Sequence, residues 1–197
     1  METNFYIFRH GETDYNAQNR CQGCMCDRLL TARGIRQAEQ LAEKLCRCRL
    51  DKIYASPLQR AIQTANIIAL RAGLNHPAEE ENLREGNFGT AEGKSESKLS
   101  PRLSDLLHQF CHPTPHNWDL RLPGHGSESK HEIFDRAYAA LRRIAAASVG
   151  QNIGIATHAG VISALACGMD LWHVSYENCA VLHLVYNHQT ERFCQIF

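Results

Sequence analysis

A chain of 197 residues is long enough for one domain with a sizeable buried core. Its 44% hydrophobic and 21% charged content is ordinary for a globular protein, and it has no run of apolar residues long enough for a membrane span. Lys plus Arg and Asp plus Glu both total 21, so no attraction to nucleic acid or to another polyanion is implied.

Phe5 to Phe8 reads as a strand apolar on both faces, as a buried parallel strand requires. It ends abruptly in Arg9-His10-Gly11, which puts a guanidinium and an imidazole at a strand's carboxyl end, where open α/β sheets bind ligands. After a polar stretch to Thr31, the spacing of Ile35, Ala38, Leu41, Ala42, Leu45 and Cys48 predicts a helix from Gly34 with these residues inward. Asp51 to Ala55 is the second predicted strand. Ser56-Pro57 then predicts a helix start with a capping hydroxyl, and Gly73 a helix stop. Arg60 falls in that helix's first turn, above the strand end.

A weak strand follows His76-Pro77. Of the acids there, Glu79, Glu80 and Glu81 read as a solvated face. Glu85 stands apart, next to Gly86 and close to Phe88, in a glycine-bounded loop. From Lys94 to Gly126 the chain is polar and broken by four prolines, with a short helix near Leu103–Phe110, and is read as a cap beside the site within a single domain spanning 1–197. Glu128-Ser129 opens another helix. Asn152 to Thr157 is a core strand ending in His158-Ala159-Gly160, and segments 178–186 and 191–196 form a closing pair of strands.

The nine cysteines are spaced poorly for tetrahedral zinc, so no metal and no cofactor is expected. Together with a start that lacks a basic signal region, they suggest a cytoplasmic, reducing location.

Two strand-end histidines, two arginines at comparable turns and one loop glutamate suit phosphoryl transfer, which needs a nucleophile, cationic oxygen holders and an acid for the leaving group. At this point the chain resembles the phosphoglycerate-mutase-like branch of the histidine phosphatase superfamily. The resemblance rests on Phe8-Arg9-His10-Gly11-Glu12-Thr13 with Asn16, Gln22-Gly23, and Asp27 with Leu30-Thr31 and Gly34. It continues through Ala55-Ser56-Pro57-Leu58-Gln59-Arg60-Ala61, Gln63-Thr64-Ala65, Leu83-Arg84-Glu85, Phe88-Gly89, Glu92-Gly93, Glu128-Ser129 and Thr157-His158-Ala159-Gly160-Val161-Ile162. Departures include Ala91 where an aromatic is common, Ser127 where glycine is usual, and Ala159 in place of glycine.

The resemblance implies an α/β fold, a three-layer α/β/α sandwich with a mostly parallel central sheet. It implies that His10 becomes phosphohistidine, that Arg9, Arg60 and His158 hold phosphoryl oxygens, and that Glu85 is the general acid and base. Asn16, Gln22, Gly11 and Ala159 would complete the substrate pocket. The short chain looks more like the phosphatases, including the α-ribazole-phosphate type, than the mutases. The expected partner is therefore a small-molecule phosphate ester, with no nucleic acid and no membrane. A phosphoglycerate mutase-type transfer is the first alternative, and a silent binding module on the same fold the second. Arg102, His112, His116 and Arg121 in the cap read first as solvated residues, with a second anionic group as the alternative.

Overall fold

The computed structural model describes residues 1–196, so only the last residue of the single domain read from the sequence lies outside. The strands are β1 (Glu2–Arg9), β2 (Lys52–Ala55), β3 (Ala78–Glu79), β4 (Asn152–Thr157), β5 (Val181–Asn187) and β6 (Arg192–Gln195). The α-helices are α1 (Asp14–Ala17), α2 (Ala32–Leu45), α3 (Gln59–Ala72), α4 (Pro101–Cys111), α5 (Lys130–Ala147) and α6 (Ala159–Gly168). Among the described residues no helix is long and apolar enough to cross a membrane.

The strands form one six-stranded sheet in the order β3-β2-β4-β1-β5-β6. The first four in that order pair in parallel, while β5 and β6 are antiparallel additions. Alternation along β1 sends Phe5 and Ile7 to one face and Phe8 to the other, each into its own apolar core. On the Phe8 side, α2 and α3 supply Leu41, Leu45, Ala61, Ala65 and Ile68. On the other side, α5 and α6 supply Ile133, Leu141, Val161 and Leu165, with Phe110 of α4 joining at one end. This is the three-layer α/β/α sandwich with a mostly parallel sheet.

Helix ends follow local chemistry. Thr31 caps α2 by accepting from Gly34 N, so that helix starts before the predicted Gly34. Ile35 is 42% exposed rather than inward, because the buried stripe runs through Gly34, Ala38, Leu41, Ala42 and Leu45 and leaves Ile35 beside it. Gly73 stops α3 in the left-handed region at φ 68°. The predicted start of α3 needs correction. Its N-cap is Leu58 with no side-chain cap of its own, and the amide of Gln59 donates instead to Asp27 Oδ2 at 2.7 Å. Ser56 Oγ accepts from Leu58 N at 3.3 Å, just ahead of the helix, and its O–H remains for another partner. Glu80 is also no solvated face, since its carboxylate accepts from Asn82 N and pairs with Arg143.

Candidate active site

The sheet order explains why two histidines 148 residues apart meet. Parallel pairing of β1 and β4 sets Arg9 opposite Thr157, and His10 N donates to Thr157 O at 3.0 Å. Both strands therefore end level, and the rings of His10 and His158 leave side by side with centroids 5.3 Å apart. Strand β2 flanks β4 on the other side, with Ala55 opposite Ala156, so Ser56 also arrives at this rim. Its Oγ lies 2.7 Å from His158 Nε2.

His10 Nδ1 lies 2.7 Å from the carbonyl of Gly11, which can only accept. Nδ1 thus carries the proton, and Nε2 keeps its lone pair. Arg60 Nε donates to that Nε2 at 3.3 Å. Arg60 is fully buried, and its remaining nitrogens donate to Gly23 O, Cys26 O and Asp27 Oδ1, which fixes the guanidinium beside the imidazole. Burial, then the charges of Arg60 and Arg9, hold His10 well below the ordinary imidazole value. Burial, with Arg60 next, does the same to His158. Both rings are therefore neutral near pH 7.

Glu85 is 4% exposed and doubly held. Its Oε1 accepts from Gly86 N at 2.9 Å, and its Oε2 from Gly160 N in the first turn of α6 at 3.0 Å. Thr157 Oγ1 donates to Leu83 O at 2.8 Å, which ties the glutamate's loop to the end of β4.

These groups open onto a cleft of about 410 Å³. Of the residues predicted for the site, Arg9, His10, Asn16, Gln22, Glu85 and Ala159 line it. Arg60 and His158 lie fully buried behind that wall, in contact through His10 and Ser56. Gly11 does not line the cleft. Its amide donates to Thr64 Oγ1, and a Cβ there would come 2.4 Å from Gly34 O, so glycine permits the loop to pass close to α2. The polar atoms of Gln22 are engaged with Thr13 Oγ1 and Cys26 O. Asn16 Oδ1 accepts from Thr13 N and Asn178 Nδ2.

Among the described residues, no group of three or more His, Cys, Asp or Glu is arranged to hold a metal ion, and all nine cysteines are free. Two buried nitrogens at the site, Arg9 Nε and His158 Nδ1, have no hydrogen-bond partner. Of the four candidates for a second anionic group, only His112 lines the cleft. Arg102 and His116 do not, and Arg121 donates instead to Ser127 O and Glu132.

Several residues at the site have no role there in the sequence reading. Ser56 contacts His158, Thr64 holds Gly11, and Asn178 donates to His10 O at 2.9 Å. Lys130 lines the cleft while almost fully buried. The one available sequence signal was its place directly after the cap Ser129, where a lysine is neither an apolar core residue nor an acid suited to a helix N-terminus.

Two strand-end histidines and a buried arginine at the rim of such a sheet define the phosphoglycerate-mutase-like class of α/β/α proteins. The family model of the histidine phosphatase superfamily (branch 1) matches residues 5–196, and the chain belongs to that superfamily. Phosphoglycerate mutase-like protein 4 of Arabidopsis thaliana is 34% identical over 81% of this chain and 67% of its own length. The probable phosphoglycerate mutase GpmB of Salmonella choleraesuis is 31% identical over 92% of this chain and 84% of its own. Among solved structures, a mycobacterial glucosyl-3-phosphoglycerate phosphatase superposes with a TM-score of 0.81 at 25% identity, covering 98% of this chain and 96% of that one.

Proposed function

We propose that this protein is a phosphomonoesterase that hydrolyses a small phosphate ester through a phosphohistidine on His10. The observation that carries the reading is the Gly11 carbonyl on His10 Nδ1, which leaves a neutral Nε2 lone pair beside a fixed guanidinium. Burial and the two flanking arginines keep that lone pair unprotonated.

In the first half-reaction Nε2 attacks phosphorus in line, the P–N bond forms, and the bond to the ester oxygen breaks. Arg60 Nε donates to the lone pair over a long 3.3 Å contact, and as the P–N bond forms the same fixed N–H is available to an equatorial phosphoryl oxygen. Arg9 Nε and His158 Nδ1, buried and unpartnered, are donors for the other oxygens. Glu85 delivers a proton to the departing oxygen. In the second half-reaction Glu85 takes a proton from water, whose oxygen attacks phosphorus and releases His10 and inorganic phosphate. We read residues 94–126 as a cap on this site, because Leu107, Cys111 and His112 of this segment line the cleft. The rest of the chain forms one domain with it.

A mutase reading, in which the phosphoryl group passes to a second hydroxyl instead of water, is favoured by the names of the relatives above. Phosphate release from an activated aryl phosphate separates the two. The test runs wild type beside His10→Ala with chelator present, followed by acid-labile labelling of the protein. Release and labelling confined to the wild type support the proposal. Labelling without release shifts the reading to the mutase, and neither event with any phosphoglycerate or aryl phosphate would sink both.

A further inference from the structure

Lys130 is a buried, titratable wall residue of the cleft that none of these steps uses. It is 2% exposed, a rare place for an ammonium, and such side chains ordinarily reach outward to water. Here α4 lies over it, with Nζ 4.5 Å from the Phe110 ring centroid. Nζ donates to Ser163 Oγ at 2.7 Å and to Gly160 O at 3.2 Å. Those partners are neutral, and among the described residues no carboxylate forms an ion pair with it. A buried charge without an opposite charge in contact is strongly disfavoured, and burial accordingly lowers the Lys130 ammonium's pKa, against which the Glu85 charge acts from a distance. Lys130 carries that penalty at the wall of the substrate cleft, where a bound anion relieves it.

Its position points to the leaving group. In-line displacement places the departing oxygen opposite His10 and next to Glu85. Glu85 Oε2 accepts from Gly160 N, while Lys130 Nζ donates to Gly160 O, so acid and ammonium are held to the same residue of α6. The phosphoryl oxygens already have Arg9, Arg60 and His158. Two of the three N–H groups of Lys130 are engaged, and the third suits one oxygen of a singly charged group rather than a second phosphate.

We infer that Lys130 is a specificity-determining residue whose ammonium binds a carboxylate carried by the leaving group of the phosphate ester. The inference rests on the phosphomonoesterase reading of the cleft.

The test is a series of ω-phosphonooxy alkanoates of increasing chain length, each beside its neutral carboxamide, with wild type, Lys130→Met and Lys130→Arg. The quantity read is the acid-to-amide ratio of kcat/KM within each protein, from which any general loss of folding or activity cancels. For at least one chain length the wild type should favour the acid by roughly 10- to 100-fold, mainly through KM, as one charge-assisted hydrogen bond predicts. That ratio should collapse to near one in Lys130→Met and survive in part in Lys130→Arg. A wild type with no preference at any length overturns the inference without any variant, and so does a preference that persists in Lys130→Met. Turnover of an aryl phosphate by the wild type separates this failure from failure of the phosphomonoesterase reading. Should that turnover be absent, calorimetric affinities of acid and amide for the same proteins decide the role of Lys130 on the same ratios.

Discussion

Arg60 faces His10 through a hydrogen bond from its Nε to the imidazole Nε2, at 3.3 Å. Three further contacts, to Gly23 O, Cys26 O and Asp27 Oδ1, leave the guanidinium no freedom to turn away. A lysine keeps the charge but not the planar fork, and its single ammonium cannot hold the loop carbonyls and the substrate together. Arg60→Lys should therefore lower kcat on an aryl phosphate by about 100- to 1,000-fold, the usual cost of losing one preorganised donor. A kcat within tenfold of wild type would mean that Arg60 serves the loop and not the phosphoryl group.

The two neutral histidines make stability depend on pH with a definite sign. Both are held well below the ordinary imidazole value, mainly by burial and then by Arg60. Below about pH 6.5 the unfolded chain gains protons at these positions that the native state refuses, so stability falls as pH falls. Each ring contributes at most about 1.4 kcal/mol per pH unit in that window. Denaturant unfolding between pH 7.5 and 5 should show His158→Gln with a shallower decline than wild type. Identical slopes would show that these rings titrate alike in both states. The same depression should put the acid limb of kcat/KM below 6.5, because the proposed attack requires an unprotonated Nε2.

Helix α5 sets Lys130 at the cleft from its first turn, and that turn is fastened by reciprocal bonds. Ser129 Oγ accepts from Glu132 N at 3.3 Å, and Glu132 Oε2 accepts from Ser129 N at 2.9 Å. Ser129→Ala should cost about 1 kcal/mol in denaturant unfolding, the typical price of a lost N-cap. A change below about 0.3 kcal/mol would show that the helix start is held by packing alone.

How much of this was legible beforehand depends on the range of the interaction. Strands ending in histidine, the stop at Gly73 and the cap at Ser129 are written in a few neighbouring residues, and local chemistry alone sets them. Ser56 has the local setting of a helix cap, and its oxygen does accept from Leu58 N, but its closer contact is with His158, just past β4 and 102 residues away. Asn178 reaches His10 across 168 residues and stands in no periodic pattern, so nothing local marks it. Lys130 escaped for the opposite reason. Lysine is ordinarily solvated, and only the packing of α4 over the start of α5 makes this one a cleft residue.

In the proposed mechanism Glu85 is the proton donor, and that role has a leaving-group signature. Alkoxide leaving groups need the proton and activated aryl oxides scarcely do. Glu85→Gln should therefore lose about 100-fold or more on alkyl phosphates and much less on p-nitrophenyl phosphate. Equal losses on both would remove Glu85 from the acid role.

Gly160 offers a way to displace that acid without altering it. The residue sits in the first turn of α6, and its amide donates to Glu85 Oε2 at 3.0 Å. A Cβ there would come 2.2 Å from Glu85 Oε1 and 2.9 Å from the carboxyl carbon, so the carboxylate must move. The backbone itself has no need of glycine here. Alanine is preferred to glycine in a helix by about 1 kcal/mol, so strain at Glu85 is set against a gain in helix propensity. Gly160→Ala should remain folded with near wild-type Tm, yet reproduce the leaving-group selectivity of the Glu85→Gln loss. Because both substitutions act on one group, the double variant should be little worse than either alone. Full alkyl phosphatase activity in Gly160→Ala would show that this contact does not position the acid, whereas additive losses would assign the two residues separate roles.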